Sequence, residues 1–314
     1  MKWRVLISAP YMLPAVGEFR PLLEREGVEV LVARVRERLC EEELLTLVGD
    51  VDGVICGDDQ FTERVLRRAA PRLKVISKWG TGVDSIDARA AAALGVRVCN
   101  TPGAFTDAVA DTALGYVLCF ARRLFEMDRD VRRGLWSKPG AVSLSECTLG
   151  VVGVGDIGRA VARRARAFGM RVLGHDTAAV PAAFVAETGM CVATLGELLS
   201  SSDFVSLHCD LNPTSFHLVG RAELATMRAS AYLVNTARGP LIDEPALADA
   251  LRGRRLAGAA LDVFEVEPLP LDSPLRGLDN CLLAPHNANS SPSARRRVHL
   301  NTIDNLLRAL RELE

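Results

Sequence analysis

Short apolar runs alternate with helical patterns along the first hundred residues. The runs RVLIS, VEVLVA, GVICG, KVISK and VRVCN carry almost no polar face, and apolar residues at helical spacing fall near 17–26, 40–49, 62–70 and 86–94 between them. Strands of this kind belong to a parallel sheet covered on both sides, with the intervening helices as the cover. Turn chemistry from Asn100 to Gly103 interrupts the rhythm, and one long helical pattern follows through GYVLCFARRLFEMDRDVRRGLW. A second alternating series opens at TLGVVGVG and runs through MRVLGHD, DFVSLHC, SAYLVNTA, LAGAALDV and NCLLAPH; RRRVHLNTIDNLLRALREL closes the chain as one amphipathic helix. The pattern predicts an α/β protein of two doubly wound parallel-sheet domains. One spans 1–99, and the other opens at residue 100, after the crossing.

Composition narrows the class. At 49% hydrophobic over 314 residues, the chain can fill two cores. Lys+Arg 38 against Asp+Glu 39 leaves no global field to attract nucleic acid or an anionic membrane. The only lysines are Lys2, Lys74, Lys78 and Lys138, and the arginines are scattered. The closest cysteines, Cys40 and Cys56, are 16 positions apart, too far for a metal knuckle or redox pair, so no metal is expected. The apolar run at MKWRVLISAP is too short for a signal peptide, and no stretch reaches membrane-spanning length. A soluble, cytoplasmic protein is expected.

TLGVVGVGDIGRAVARRARAFG places Gly153, Gly155 and Gly158 in the spacing GxGxxG, after an apolar strand and at the opening of a helix. Asp176 ends the next strand, 18 residues beyond Gly158. That context is the dinucleotide fingerprint of a Rossmann domain: glycines let the backbone approach a pyrophosphate, and the acid accepts from the ribose hydroxyls. Thr177 follows Asp176, with no arginine to neutralise a 2′-phosphate, so NAD is favoured over NADP.

Among the five histidines, His217 falls in a polar stretch read as helical, His299 in the last helix and His175 at the adenosine end. His208 ends FVSLH near the cofactor path and is carried as a cofactor-binding residue, although a histidine satisfied at a strand end is the better reading of it. His286 follows NCLLAPH, at the end of a strand where open α/β sheets bind ligands. Three strand ends, LVNTARG, LDVFEVEP and LLAPHNANS, therefore present Arg238, Asp262, Glu267 and His286. The guanidinium fork of Arg238 suits a substrate carboxylate. Pairing with Glu267 favours protonated His286, which suits proton exchange near neutral pH. This gives DVFEVEPLP, with carboxylates against an apolar edge, a purpose.

Over nearly its whole length the chain resembles the D-isomer-specific 2-hydroxyacid dehydrogenases, particularly the phosphoglycerate dehydrogenase-like branch. KWGTGVDSID, NTPGAFTDAVAD, GVVGVGDIGRAVA, SLHCDLNPTS, NTARGPLIDEPAL, LDVFEVEP and APHNANS carry the resemblance in order. It implies a flavodoxin-like substrate domain, 1–99 with 288–314 returning to it, and the NAD-binding Rossmann domain, 100–287, inserted in it. It also implies a catalytic set of Arg238, Glu267 and His286, and a loop of Lys78, Trp79, Gly80, Thr81 and Gly82 that holds the acid together with Arg238 and His286. Contact with NAD falls to Gly153, Gly155, Asp156, Ile157, Gly158, Asp176, Cys209, Thr236, Ala237, Arg238, Asp262 and His286 to Asn289. Hydride passes between nicotinamide and C2 of a small D-2-hydroxy or 2-oxo acid. The resemblance also puts a basic residue at position 78 near a substrate phosphate, so a second anionic group, as in 3-phosphoglycerate or a phosphonate, is expected. Dimerisation through the helix after Asn100 is the family habit, and regulation through an added domain beyond Glu314 is not expected. Phe105, Asp210, Asn287 and Asn289 depart from the family pattern. Two alternatives remain at this point: the same catalytic set on formate or phosphite, and a non-catalytic NAD-sensing, corepressor-like protein.

Overall fold

The computed structural model describes residues 2–313. The chain divides into two compact units, Met1–Phe105 with Ser291–Glu314, and Thr106–Ser290. The crossings fall a few residues beyond the expected 99/100 and 287/288.

The first unit orders β1 (Trp3–Ile7), α1 (Val16–Arg25), β2 (Val28–Val32), α2 (Glu41–Leu47), β3 (Gly53–Cys56), α3 (Glu63–Ala69), β4 (Val75–Lys78), α4 (Ala88–Ala93) and β5 (Arg97–Cys99). The strands form one parallel sheet in the order β2-β1-β3-β4-β5, the flavodoxin-like arrangement. Each strand is short and apolar because both faces are covered; β3 and β4 are buried at every position. The second unit continues with α5 (Thr106–Ala121), α6 (Leu124–Arg132), β6 (Thr148–Val152), α7 (Asp156–Ala167), β7 (Arg171–His175), α8 (Ala182–Thr188), β8 (Cys191–Val192), α9 (Leu195–Ser201), β9 (Phe204–Leu207), α10 (Arg221–Thr226), β10 (Tyr232–Asn235), α11 (Glu244–Arg252), β11 (Gly258–Leu261) and β12 (Cys281–Leu283). Its parallel sheet runs β12-β11-β10-β9-β6-β7-β8, so the strand order reverses between β6 and β9. In open sheets of this kind the ligand crevice lies outside the carboxyl ends of the strands at that reversal.

The last helix, α12 (Pro292–Arg311), returns to the first unit. Ser291 caps it by accepting from the Ala294 N–H, and Pro292 sits at its first position, where a missing N–H costs nothing. It buries Val298, Ile303, Leu306, Leu307 and Leu310, each contributing roughly 1.5–3 kcal/mol relative to exposure. No helix among the described residues is long and apolar enough to cross a membrane.

Three local expectations are corrected. The long helical pattern after Gly103 breaks at Arg123, which adopts φ +52 between α5 and α6. β8 went unseen because its two residues are exposed and carry no apolar run. His217 lies in a turn at φ +51, not in a helix, and its ring is paired with the Glu265 carboxylate.

Candidate active site

At the β6–α7 turn the glycines separate by what they permit. Gly153 has φ +90, and a Cβ there would stand 2.4 Å from the Cys209 nitrogen; at Gly158 it would stand 1.9 Å from the Gly153 carbonyl oxygen. Both are obligatory for the turn. At Gly155, before the first residue of α7, a Cβ would meet nothing within 4 Å. The helix N-terminus therefore opens onto clear space, as a pyrophosphate requires. Asp176 is tied to the same turn: one carboxylate oxygen accepts from the Val154 N–H at 2.7 Å, the other from the Ala178 N–H at 2.8 Å. Asp156 is exposed and pairs with Arg159 at 2.9 Å, while Ile157 packs partly onto the core.

The ends of β9 and β10 complete this edge. His208 accepts or donates at Nε2 to the Ser206 hydroxyl at 2.8 Å, and burial pushes its pKa down to about 3, so the ring is a neutral structural group. Burial likewise pushes the Cys209 thiol up to about 11. Ala237 donates its N–H to Asn235 Oδ1 at 3.0 Å. Thr236 is 8% exposed, and its hydroxyl oxygen is buried with no hydrogen-bond partner among the described residues. An orphan hydroxyl at the carboxyl edge of a dinucleotide-type sheet, with open space at Gly155 on the same edge, fits a bound NAD.

The ends of β10, β11 and β12 bring the remaining residues to the same edge. Asp262 is 1% exposed and uses both carboxylate oxygens to hold the chain after β12: Oδ1 accepts from the Asn287 N–H at 3.0 Å and Oδ2 from the Ala288 N–H at 2.8 Å. Its carbonyl accepts from the His286 N–H at 2.7 Å. These bonds hold His286 at φ +50, a conformation that costs a non-glycine residue about 1–2 kcal/mol. Burial raises the Asp262 pKa above the usual carboxylate value, against the pull of those two N–H groups. Asn289 lies partly buried in the same loop.

His286 Nδ1 stands 2.8 Å from Glu267 Oε2. A carboxylate only accepts, so Nδ1 carries the proton and Nε2 is the nitrogen that can face a substrate. Glu267 Oε1 accepts from the Phe264 N–H at 2.9 Å, which fixes the carboxylate from its own loop. Arg238 follows β10, half-buried, and donates from Nη1 to the Ala237 carbonyl at 2.9 Å.

In the first unit, the loop from Lys78 to Gly82 follows β4. It is pinned to the turn after β5: the Gly80 carbonyl accepts from the Thr101 N–H at 2.9 Å, and the Thr81 carbonyl from Asn100 Nδ2 at 2.6 Å. Trp79 is 4% exposed, stacks on Tyr11 and donates its indole N–H to His299 Nδ1 at 2.9 Å. His299 therefore carries its proton on Nε2, and burial lowers its pKa. Trp79 is a packed core residue in this arrangement. Lys78 is 3% exposed, and its ammonium lies 2.9 Å from Asp58 Oδ1. The buried Asp59 is nearby and accepts from the Ser8 hydroxyl at 2.6 Å and the Leu39 N–H at 2.7 Å; burial raises its pKa, an effect the Lys78 charge partly offsets. Sequence reasoning expected this cation to meet a substrate's second anion, or water. It meets Asp58, which GDDQ, lying in no apolar pattern, did not flag.

Residues 114–288 match the family model for the D-isomer specific 2-hydroxyacid dehydrogenase, NAD binding domain. A glyoxylate reductase of Korarchaeum cryptofilum is 39% identical over 285 residues, covering 89% of this chain and 82% of that protein. A D-3-phosphoglycerate dehydrogenase of Methanocaldococcus jannaschii is 38% identical over 311 residues, 98% of this chain and 57% of the longer relative. The crystal structure of the TT0316 protein from Thermus thermophilus superposes with a TM-score of 0.85 at 38% identity, covering 98% of this chain and 97% of that one. The chain belongs to the D-isomer-specific 2-hydroxyacid dehydrogenase family. It is an NAD-dependent oxidoreductase of 2-hydroxy acids, which sets aside the reading of a non-catalytic sensor.

Proposed function

We propose that the enzyme interconverts a small D-2-hydroxy acid and its 2-oxo acid with Arg238, Glu267 and His286 as its catalytic set. The observation that carries this is the His286–Glu267 pair at 2.8 Å, at the carboxyl edge that also presents Arg238. NAD, when bound, supplies the hydride acceptor or donor. Gly153, Gly155 and Gly158 would admit its pyrophosphate, Asp176 its ribose, and Thr236, Cys209, Ala237 and Asn289 its nicotinamide half. The Arg238 fork holds the substrate carboxylate. His286 gives its Nε2 proton to the developing alkoxide in reduction and takes the hydroxyl proton in oxidation, while Glu267 holds the ring and compensates the imidazolium.

The tail of the substrate is the finer question, and the relatives divide over it, one acting on glyoxylate and one on a phosphorylated acid by name. The Lys78 charge is already matched by Asp58. A short acid with an uncharged tail, such as glyoxylate or hydroxypyruvate, fits that neutralised pair better than one with a second anion. Whether the loop from Lys78 to Gly82 touches the acid is a separate claim with its own mutations. A second copy of this chain is the partner assigned to α6 and the residues after it, where Leu124, Phe125, Val131, Leu135 and Trp136 are exposed, Trp136 by 81%. The eight free cysteines suit a reducing cytoplasm.

The test is NADH oxidation with glyoxylate, hydroxypyruvate and 3-phosphohydroxypyruvate by the parent enzyme and by His286→Asn. Turnover of at least one acid, lost by roughly 10³-fold in the variant with NADH affinity retained, is the expected result. Undiminished turnover in His286→Asn ends the assignment.

A further inference from the structure

The stretch DVFEVEPLP holds two glutamates, and only Glu267 is used by the mechanism above. Glu265 reaches the other way. Its Oε1 accepts from His217 Nε2 at 2.9 Å and from the Glu244 N–H at 3.2 Å. The Glu265 N–H in turn donates to Glu244 Oε1. Glu244 and Glu265 thus clasp each other, backbone to side chain in both directions, with an imidazole N–H as a third tie.

His217 is itself anchored. Its N–H donates to the Pro240 carbonyl at 2.8 Å, and Val219 and Ile242 form a parallel bridge two residues further on. The turn that carries His217 is therefore stitched to the segment that follows Arg238. At Gly239 a Cβ would lie 1.9 Å from the Phe264 carbonyl carbon and 2.4 Å from the Glu265 nitrogen. The backbones that carry Arg238 and Glu267 lie against each other, and only glycine allows it. One residue on, the Phe264 N–H donates to Glu267 Oε1.

We propose that His217 and Glu244 are positioning residues: acting through Glu265, they fix the 262–268 loop so that Glu267 stays on His286. This rests on the roles given above to Glu267 and His286. Burial raises the Glu244 pKa above the usual carboxylate value, opposed by its bond from the Glu265 N–H and reinforced by the Glu265 and Glu267 charges. The titratable groups around the two pairs include His217, Glu244 and Glu265 on one side, with the Cys281 thiol feeling the Glu244 charge, and Glu267 and Asp262 around His286, with the Tyr116 hydroxyl feeling the Asp262 charge and the His286 charge acting on Asp262. Without the clasp, three carboxylates in one short loop repel each other, and the Phe264 N–H and His286 Nδ1 are left to hold Glu267 against that repulsion.

Two measurements test this on the intact enzyme: the pH profile of reduction, and the pH midpoint of the His286 ring protons by NMR, which needs no turnover. In His217→Ala and Glu244→Ala, Glu267 leaves the ring part of the time, so imidazolium loses its compensating charge. The midpoint and the alkaline fall-off of reduction should both move to lower pH, with kcat reduced roughly tenfold, about 1.4 kcal/mol of barrier, and NADH affinity unchanged. Should either alanine variant not fold, His217→Phe and His217→Gln decide. Phenylalanine keeps the ring that stacks on Phe216 but has no donor and should shift the midpoint; glutamine keeps a donor and should not. An unmoved midpoint in His217→Phe, or equal behaviour of Phe and Gln, overturns the proposal. A parent that turns over no 2-oxo acid would instead refute the functional reading, and the NMR midpoints would still decide the clasp.

Discussion

The carboxyl edges of the two sheets use opposite charges in opposite ways. After β4, Lys78 is 3% exposed and its partner Asp58 is 41% exposed in the side chain, so the pair is a buried cation held by an anion at the surface. After β11 and β12, Glu267 and His286 are 18% and 24% exposed, so both members of that pair keep contact with solvent. A buried charge that finds its partner within the fold is costly to strand, so the pair is kept whatever its net contribution. A partly exposed pair on a strained backbone, φ +50 at His286, is held for something else. Burial and strain separate the two edges where residue type alone does not.

The largest effect that would break this contrast is catalytic. Glu267→Gln keeps the shape and the Phe264 contact but removes the charge beside His286. Reduction should fall by about 10²-fold at neutral pH, with its alkaline fall-off moved to lower pH, while Tm changes little. An unchanged pH–rate profile would mean that another group supplies the proton. The second effect lies at the other edge and is one of stability. Asp58→Asn strands a buried ammonium and should cost about 2 kcal/mol, less than a fully buried pair because Asp58 is partly solvated. Lys78→Met leaves a carboxylate that water can solvate and should cost under about 1 kcal/mol. Equal losses in urea melts of the two variants would show that Lys78 is not buried as a charge.

These contrasts were only partly legible beforehand. The parallel character of both sheets follows from apolar runs that need two covered faces, and every run named from sequence became a strand, but the order of the strands did not follow from them. The Glu267–His286 pair was legible because each residue follows an apolar strand and ends at one edge of a doubly wound sheet. Partners set by loops were not. Nothing local joins Glu265 to His217, 48 positions away, or Lys78 to Asp58, and Arg123 breaks a helix without glycine or proline to announce it. Asp262 was read as a cofactor contact, yet both its oxygens hold the loop that strains His286, a use that appears only once β11 and β12 are adjacent.

A third effect sharpens the cofactor side. Asp176, assigned above to the ribose, would repel a 2′-phosphate, and it clamps the Val154 and Ala178 N–H groups. Asp176→Ala should narrow a preference for NADH over NADPH by roughly tenfold, about 1.4 kcal/mol, in fluorescence titrations. It should also lower Tm, since two backbone N–H groups lose their acceptor. Parent enzyme with equal affinity for both cofactors would remove Asp176 from the selectivity argument.

The last effect is the pH dependence of stability set by His208, the histidine that burial keeps neutral. Its folded pKa is pushed down to about 3 from 6.5. Above about pH 6.5 neither the folded nor the unfolded ring is protonated, and the group adds nothing to the slope. Below that value the unfolded chain binds a proton that the native state refuses, so stability falls with pH until the folded ring titrates near 3. The slope is at most about 1.4 kcal/mol per pH unit. Asp262 and Glu244 act with the opposite sign, because their raised folded pKa values favour the native state as acid is added. The parent Tm therefore mixes both trends, and the difference between parent and His208→Gln isolates the histidine. Glutamine can keep a bond to the Ser206 hydroxyl and does not titrate. The Tm drop from pH 7 to pH 5 should be smaller in His208→Gln than in the parent; identical drops would show that His208 takes up its proton in the native state and contributes no slope at all.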